Sequence, residues 1–174
     1  MTAYHVDAAV NKQPPYTGAI AVINSETGHF TCLQYPFPVD INYMEAIACL
    51  IACLQVPVPS VIYTDSMTTA REVKNCRQTK GLISAANIYR VIAEMLPQKS
   101  KVVYIPREQN NLANHLVTWS WQNNFTGHGA IPLGDRWTDN LDSWILKPVP
   151  FEQVASVEAI KKLLNPAGKT HRMY

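Results

Sequence analysis

Two proline pairs, Pro36/Pro38 and Pro57/Pro59, bracket a run of helical period and so fix where the first helix of this chain can start and stop. Between them Met44, Ile47, Ala48, Ile51 and Ala52 recur at helical spacing over residues 42–54. Everything before the first pair reads as β-structure. Residues 3–10 form a strand pattern, 11–16 a polar, proline-containing loop, and the runs 18–23 and 29–34 flank a connection of hairpin length. Gly28 ends that connection, where a positive φ is often needed. The opening is therefore expected to be three antiparallel strands.

After the second proline pair the pattern alternates. Residues 60–64 read as a fourth strand, 67–74 as a short basic helix, 83–96 as a helix with Ile88, Val91, Ile92 and Met95 on one side, 101–105 as a fifth strand and 110–122 as a closing helix. Three strands followed by alternating helices and strands predict an α/β domain over residues 1–122, a mixed five-stranded sheet flanked by helices. Residues 123–174 differ in character. They carry Pro132, Pro148, Pro150 and Pro166, a glycine-rich stretch over 127–134, Trp137, Trp144 and one helix candidate at 154–164, and are expected to be an extension packed on or tethered to the domain.

At 174 residues with 47% hydrophobic and 16% charged content, the chain can bury a core without disulfides. Cys32, Cys49, Cys53 and Cys76 form no CxxC pair and three lie in apolar surroundings, which predicts buried free thiols and a reducing compartment. A polar start running directly into a strand, with no basic-then-apolar leader and no apolar run near the ~18 residues of a membrane span, predicts a soluble intracellular protein, cytoplasmic or nuclear. A net charge of +2 excludes the strongly basic whole-protein signature of many nucleic-acid binders. Locally the balance differs: between Ser66 and Arg107 eight basic residues face only Glu72 and Glu94. That patch is either a solvated helical face or a phosphate track.

Three acids carry the candidate chemistry. Asp7 sits mid-strand among apolar residues, where an uncompensated carboxylate is costly, and Asp65 ends the short apolar run Val61-Ile62-Tyr63-Thr64. If the two strands are neighbours, both acids face one spot and a divalent cation supplies the missing charge. Oxygen ligands without a histidine pair favour magnesium or manganese over zinc. Each acid also has a plainer reading. Asn42-x-x-Glu45 fits a capping box, and Asp65 fits the N-cap of the helix that follows it.

The combination resembles a family. Asp7, Glu45 at the start of the first helix and Thr64-Asp65-Ser66 at the end of the fourth strand resemble the acidic active site of the ribonuclease H fold. Residues 105–116, Ile-Pro-Arg-Glu-Gln-Asn-Asn-Leu-Ala-Asn-His-Leu, are similar to the P-R-E-x-N-x-x-A-D-x-L stretch that opens the last helix in many such domains. The resemblance covers residues 3 to about 120. Transposase and integrase relatives take their glutamate after the second aspartate, whereas Glu45 precedes Asp65, which favours a hybrid-cleaving nuclease.

The resemblance implies an endonuclease that hydrolyses the RNA strand of RNA/DNA hybrids with two magnesium or manganese ions, held by Asp7, Glu45, Asp65 and the residue at position 114. It further implies nucleic-acid contacts from Asn42, Ser66 and Arg107, with Arg71, Lys74 and Arg77 as the phosphate track. The domain would act alone or within a larger polymerase or reverse transcriptase assembly. The departure is Asn114, where the family has a fourth acid. An amide oxygen can ligate magnesium but brings no charge, so the site is a weakened enzyme, one altered to trap substrate, or a fold kept for binding only. A non-catalytic binding or tethering module is accordingly the rival reading, and a structure-selective nuclease on branched DNA a third.

Overall fold

The computed structural model describes residues 2–14, 16–55, 59–78, 87–132 and 145–149. The strands are β1 (Thr2–Val10), β2 (Gly18–Asn24), β3 (His29–Tyr35), β4 (Ser60–Thr64), β5 (Lys101–Tyr104), β6 (Gly127–Ala130) and β7 (Ile145–Pro148). The helices are α1 (Ile41–Gln55), α2 (Met67–Gln78), α3 (Ile88–Met95) and α4 (Asn111–Gln122), the last preceded by a 3-10 turn at Arg107–Gln109. One mixed sheet runs β5-β4-β1-β2-β3-β6-β7. The pairs β1–β2 and β2–β3 are antiparallel, β1–β4 and β4–β5 parallel. The expected α/β architecture is thus observed, with seven strands instead of five.

The two additional strands come from the segment beyond residue 122, and in β6 glycine-rich sequence hides the strand. In β6, Gly127 has φ +154 and a Cβ there would run into the carbonyl oxygen of Lys147 on β7. Close backbone approach makes glycine necessary at a position where β-propensity argues against a strand. β6 is tied to β3 by its ladder and by a 2.9 Å hydrogen bond between Thr31 Oγ1 and His128 Nδ1.

Helices cover both faces of the sheet. Residues 43–53 of α1 are all buried, as an all-round apolar helix must be. Met44, Ile47, Leu50 and Ile51 pack with Val6, Ile20, Val22 and Leu33 of the sheet and with Ile88 and Ile92 of α3. On the other face Ala113, Leu116, Val117 and Trp119 of α4 pack with Ala19, Ala21, Ile23 and Cys32. All four cysteines are buried and free.

Element boundaries differ from expectation where a cap decides them. Asp40, not Asn42, caps α1: its Oδ1 accepts from the Tyr43 amide at 3.0 Å. The helix expected to start at residue 83 begins at Ile88, because extended Asn87 accepts from the Tyr89 amide at 2.8 Å. Residues 79–86 and the helix candidate at 154–164 lie outside the described residues, as do Trp137 and Trp144. Among the described residues, no helix is long and apolar enough to cross a membrane.

Candidate metal centre

Strand register brings the two aspartates together. β1 and β4 run parallel with His5 opposite Tyr63, so the chain positions two residues further on, Asp7 and Asp65, lie side by side. Glu45 arrives from the second turn of α1. One carboxylate oxygen from each of Asp7, Glu45 and Asp65 lies within 4.8 Å of the others. With Arg107, Asn114 and Thr118 they line a pocket of about 280 Å³.

Burial makes this cluster unstable without a compensating charge. Asp7 and Glu45 are 4% and 7% exposed, and Glu45 Oε2 is buried with no hydrogen-bond partner. Desolvation pushes both carboxyls well above the carboxylate range, reinforced at Asp7 by Asp65 and at Glu45 by Asp7 and Asp65. Asp65 is also raised by burial, with a hydrogen bond from Asn110 opposing the shift. The positive charge of Arg107 opposes the shift at all three. A bare carboxylate oxygen, two further carboxylates at coordination spacing and no histidine in the cluster together fit a hard divalent cation.

The capping readings of the acids do not describe the structure. Because Asp40 caps α1, Glu45 is free to face the pocket. Ser66, not Asp65, caps α2: its Oγ accepts from the Thr69 amide at 3.1 Å and lies 2.9 Å from Thr69 Oγ1. The Ser66 hydroxyl, expected to meet a nucleic-acid backbone, is therefore engaged within the protein. Asn42 is exposed in the first turn of α1.

The basic residues divide in the same way. Arg71 and Lys74 are exposed on α2, and with Met67, Lys101 and Tyr104 they line a groove of about 630 Å³. Arg77, half-buried, lines the same groove but is engaged within the protein. Its guanidinium donates to the carbonyls of Pro97 at 3.1 Å, Leu96 at 3.4 Å and Ser100, anchoring the turn after α3. Arg107 is exposed at the pocket rim. The Asn114 carboxamide satisfies its surroundings when its oxygen faces that guanidinium, accepting from Nε at 3.0 Å and Nη2 at 3.2 Å.

The fold is similar to that of known structures. LC11-RNase H1 in complex with an RNA/DNA hybrid is 18% identical, with 71% of this chain and 99% of that one covered at a TM-score of 0.57. The foamy viral protease-reverse transcriptase in complex with an RNA/DNA hybrid is 17% identical at TM-score 0.56; the match covers 68% of this chain but only 19% of that one. RNase H1 from the archaeon Halobacterium salinarum is 13% identical, with 70% and 98% covered and a TM-score of 0.53. The chain has a ribonuclease H-like fold. No protein-family model matches it by sequence, and no curated protein sequence does either.

Within the ribonuclease H-like fold one site residue escapes a reading based on charge. Asn110 is fully buried, and its Nδ2 donates to the Val6 carbonyl at 2.8 Å, pinning the start of α4 to β1 beside Asp7. It also supports Asp65. Its place within the 105–116 motif was the available signal, but a neutral amide before a helix reads as an ordinary cap. Asn110→Ala is expected to destabilise the protein by about 1–3 kcal/mol, because the buried Val6 carbonyl loses its donor. Magnesium affinity should fall by about tenfold or more as Asp65 loses its anchor. Thermal melts and a magnesium titration check both.

Proposed function

We infer that this protein is a metal-dependent endonuclease acting on the RNA strand of RNA/DNA hybrids. The observation that carries the reading is the triad Asp7, Glu45 and Asp65, with ligand atoms within 4.8 Å of one another and one buried oxygen lacking any partner. Two of the similar structures are bound to RNA/DNA hybrids, which supports that substrate class. Both settings seen there, a chain matched over 99% of its length and a domain within a reverse transcriptase, suit a domain of this kind.

The three carboxylates would hold magnesium or manganese, which when bound supplies Lewis acidity for water attack on the phosphodiester and for the leaving oxygen. The chain's own groups do the remainder. Burial of Asp7 and Glu45 keeps the ligand oxygens desolvated and fixed, so little reorganisation is needed when the phosphate arrives. Arg107 and Asn114 line the same pocket, where the phosphate charge would lie. Exposed Asn42, Arg71 and Lys74 lie on helices that begin near the triad and would contact 2′-hydroxyls and phosphates without reading bases.

The test is cleavage of a labelled RNA/DNA hybrid in magnesium and in manganese, beside double-stranded DNA and a four-way DNA junction. Hybrid cut in the RNA strand only, and only with a divalent ion, is the expected result. Hybrid bound but never cut would establish the rival binding module, and junction cleavage without hybrid cleavage the branched-DNA nuclease.

A further inference from the structure

We propose that Arg107 takes the place of a second metal ion, so that the site works with one divalent cation and one guanidinium. Three observations converge on it. Arg107 lies at the rim of the same pocket as the three carboxylates. With the Asn114 carboxamide turned so that its oxygen faces the guanidinium, that oxygen accepts from Arg107 Nε at 3.0 Å and Nη2 at 3.2 Å, and Asn114 lines the same pocket. The charges then balance. The carboxylates of Asp7, Glu45 and Asp65 carry three negative charges when ionised, and Asn114 adds none, so one divalent cation and one guanidinium neutralise the protein's own ligands without a second ion.

An aspartate at position 114 would pair with Arg107 as a salt bridge or draw a second ion in its place. Asparagine does neither: it orients the guanidinium by a neutral, two-donor contact and leaves its charge directed at the pocket. A planar guanidinium suits a phosphoryl group better than an ammonium does, since it presents paired donors to two oxygens. Arg107 would thus stabilise the negative charge that grows on the scissile phosphate, with Asn114 as its positioning residue.

The proposal rests on the nuclease reading for its kinetics but not for its stoichiometry, and the experiment separates them. Manganese binding to the full chain is counted by electron paramagnetic resonance. Wild type is expected to bind one ion, and the Arg107→Gln/Asn114→Asp double variant two. In hybrid cleavage at saturating magnesium, Arg107→Gln should lower kcat by about a hundredfold, as loss of one preorganised donor does elsewhere. KM should change little, and Arg107→Lys should recover part of the loss. Two ions on the wild type would overturn this proposal and leave the nuclease reading intact, as would an Arg107→Gln variant altered only in KM. One ion bound with hybrid uncut would overturn the nuclease reading while supporting the occupancy. No ion bound would overturn both.

Discussion

Asp7→Asn is expected to abolish hybrid cleavage, by at least about a hundredfold, and at the same time to raise the melting temperature of the metal-free protein. The two effects have one cause. Asp7 is 4% exposed, lies beside Asp65 and Glu45, and has its carboxyl pushed up to about 7 by burial and by Asp65. Replacing it with an amide of the same shape removes a buried charge that the apo protein cannot compensate, so folding gains. It equally removes a cation ligand, and since even groups that merely support a ligand are worth 10–100-fold, loss of the ligand itself should exceed that. Cleavage rate and thermal melts on the same preparation give the answer. A variant that loses activity and stability together would point to Asp7 as a structural residue, and one that retains activity would remove the carboxylate cluster from the chemistry.

How much of this was legible in the sequence depended on whether local signals agreed with the tertiary arrangement. The extent of α1 followed from flanking prolines, whereas its burial does not follow the expected face: residues 43–53 are buried without interruption. Asp7 and Asp65 could be paired from the sequence only on the condition that their strands are neighbours, and the parallel β1–β4 pairing meets that condition. Other features needed coordinates. Ser66 and Arg77 carry polar groups typical of nucleic-acid contacts, yet local capping engages one and the carbonyls after α3 engage the other. No periodicity marks such use, since it depends on which turn the chain brings within reach. β6 was hidden for the opposite reason: its glycines lower β-propensity, but close approach to β7 demands one at Gly127. Asn114 read from the sequence as an uncharged fourth ligand, and only the position of the Arg107 guanidinium gives its amide oxygen a partner within the protein.

The same buried carboxylates make stability depend on pH in a direction opposite to that of a salt-bridged protein, and a divalent cation should reverse it. For Asp7 the folded state holds its proton up to about pH 7, against 3.8 for an unperturbed carboxyl. Between those values the native state binds more protons than the unfolded chain, so stability falls as pH rises through that window. The raised carboxyl of Glu45 extends the decline to higher pH. Stability from these groups is therefore fully present below about pH 4 and is lost on passing neutrality. In chelator the melting temperature should drop by about 5 °C from pH 5 to pH 8, corresponding to about 1–3 kcal/mol. Magnesium binds the ionised carboxylates and competes with protons, so it should raise the melting temperature at pH 8 and do little at pH 5. Cleavage should follow the same competition, rising about tenfold for each pH unit below the apparent pKa of the site and levelling off above it, with a midpoint that moves to lower pH as magnesium is increased. Melting temperatures that rise with pH in chelator, or a magnesium effect equal at pH 5 and pH 8, would mean that these carboxylates are already ionised and compensated within the protein, and the case for a cation at this site would lose its electrostatic basis.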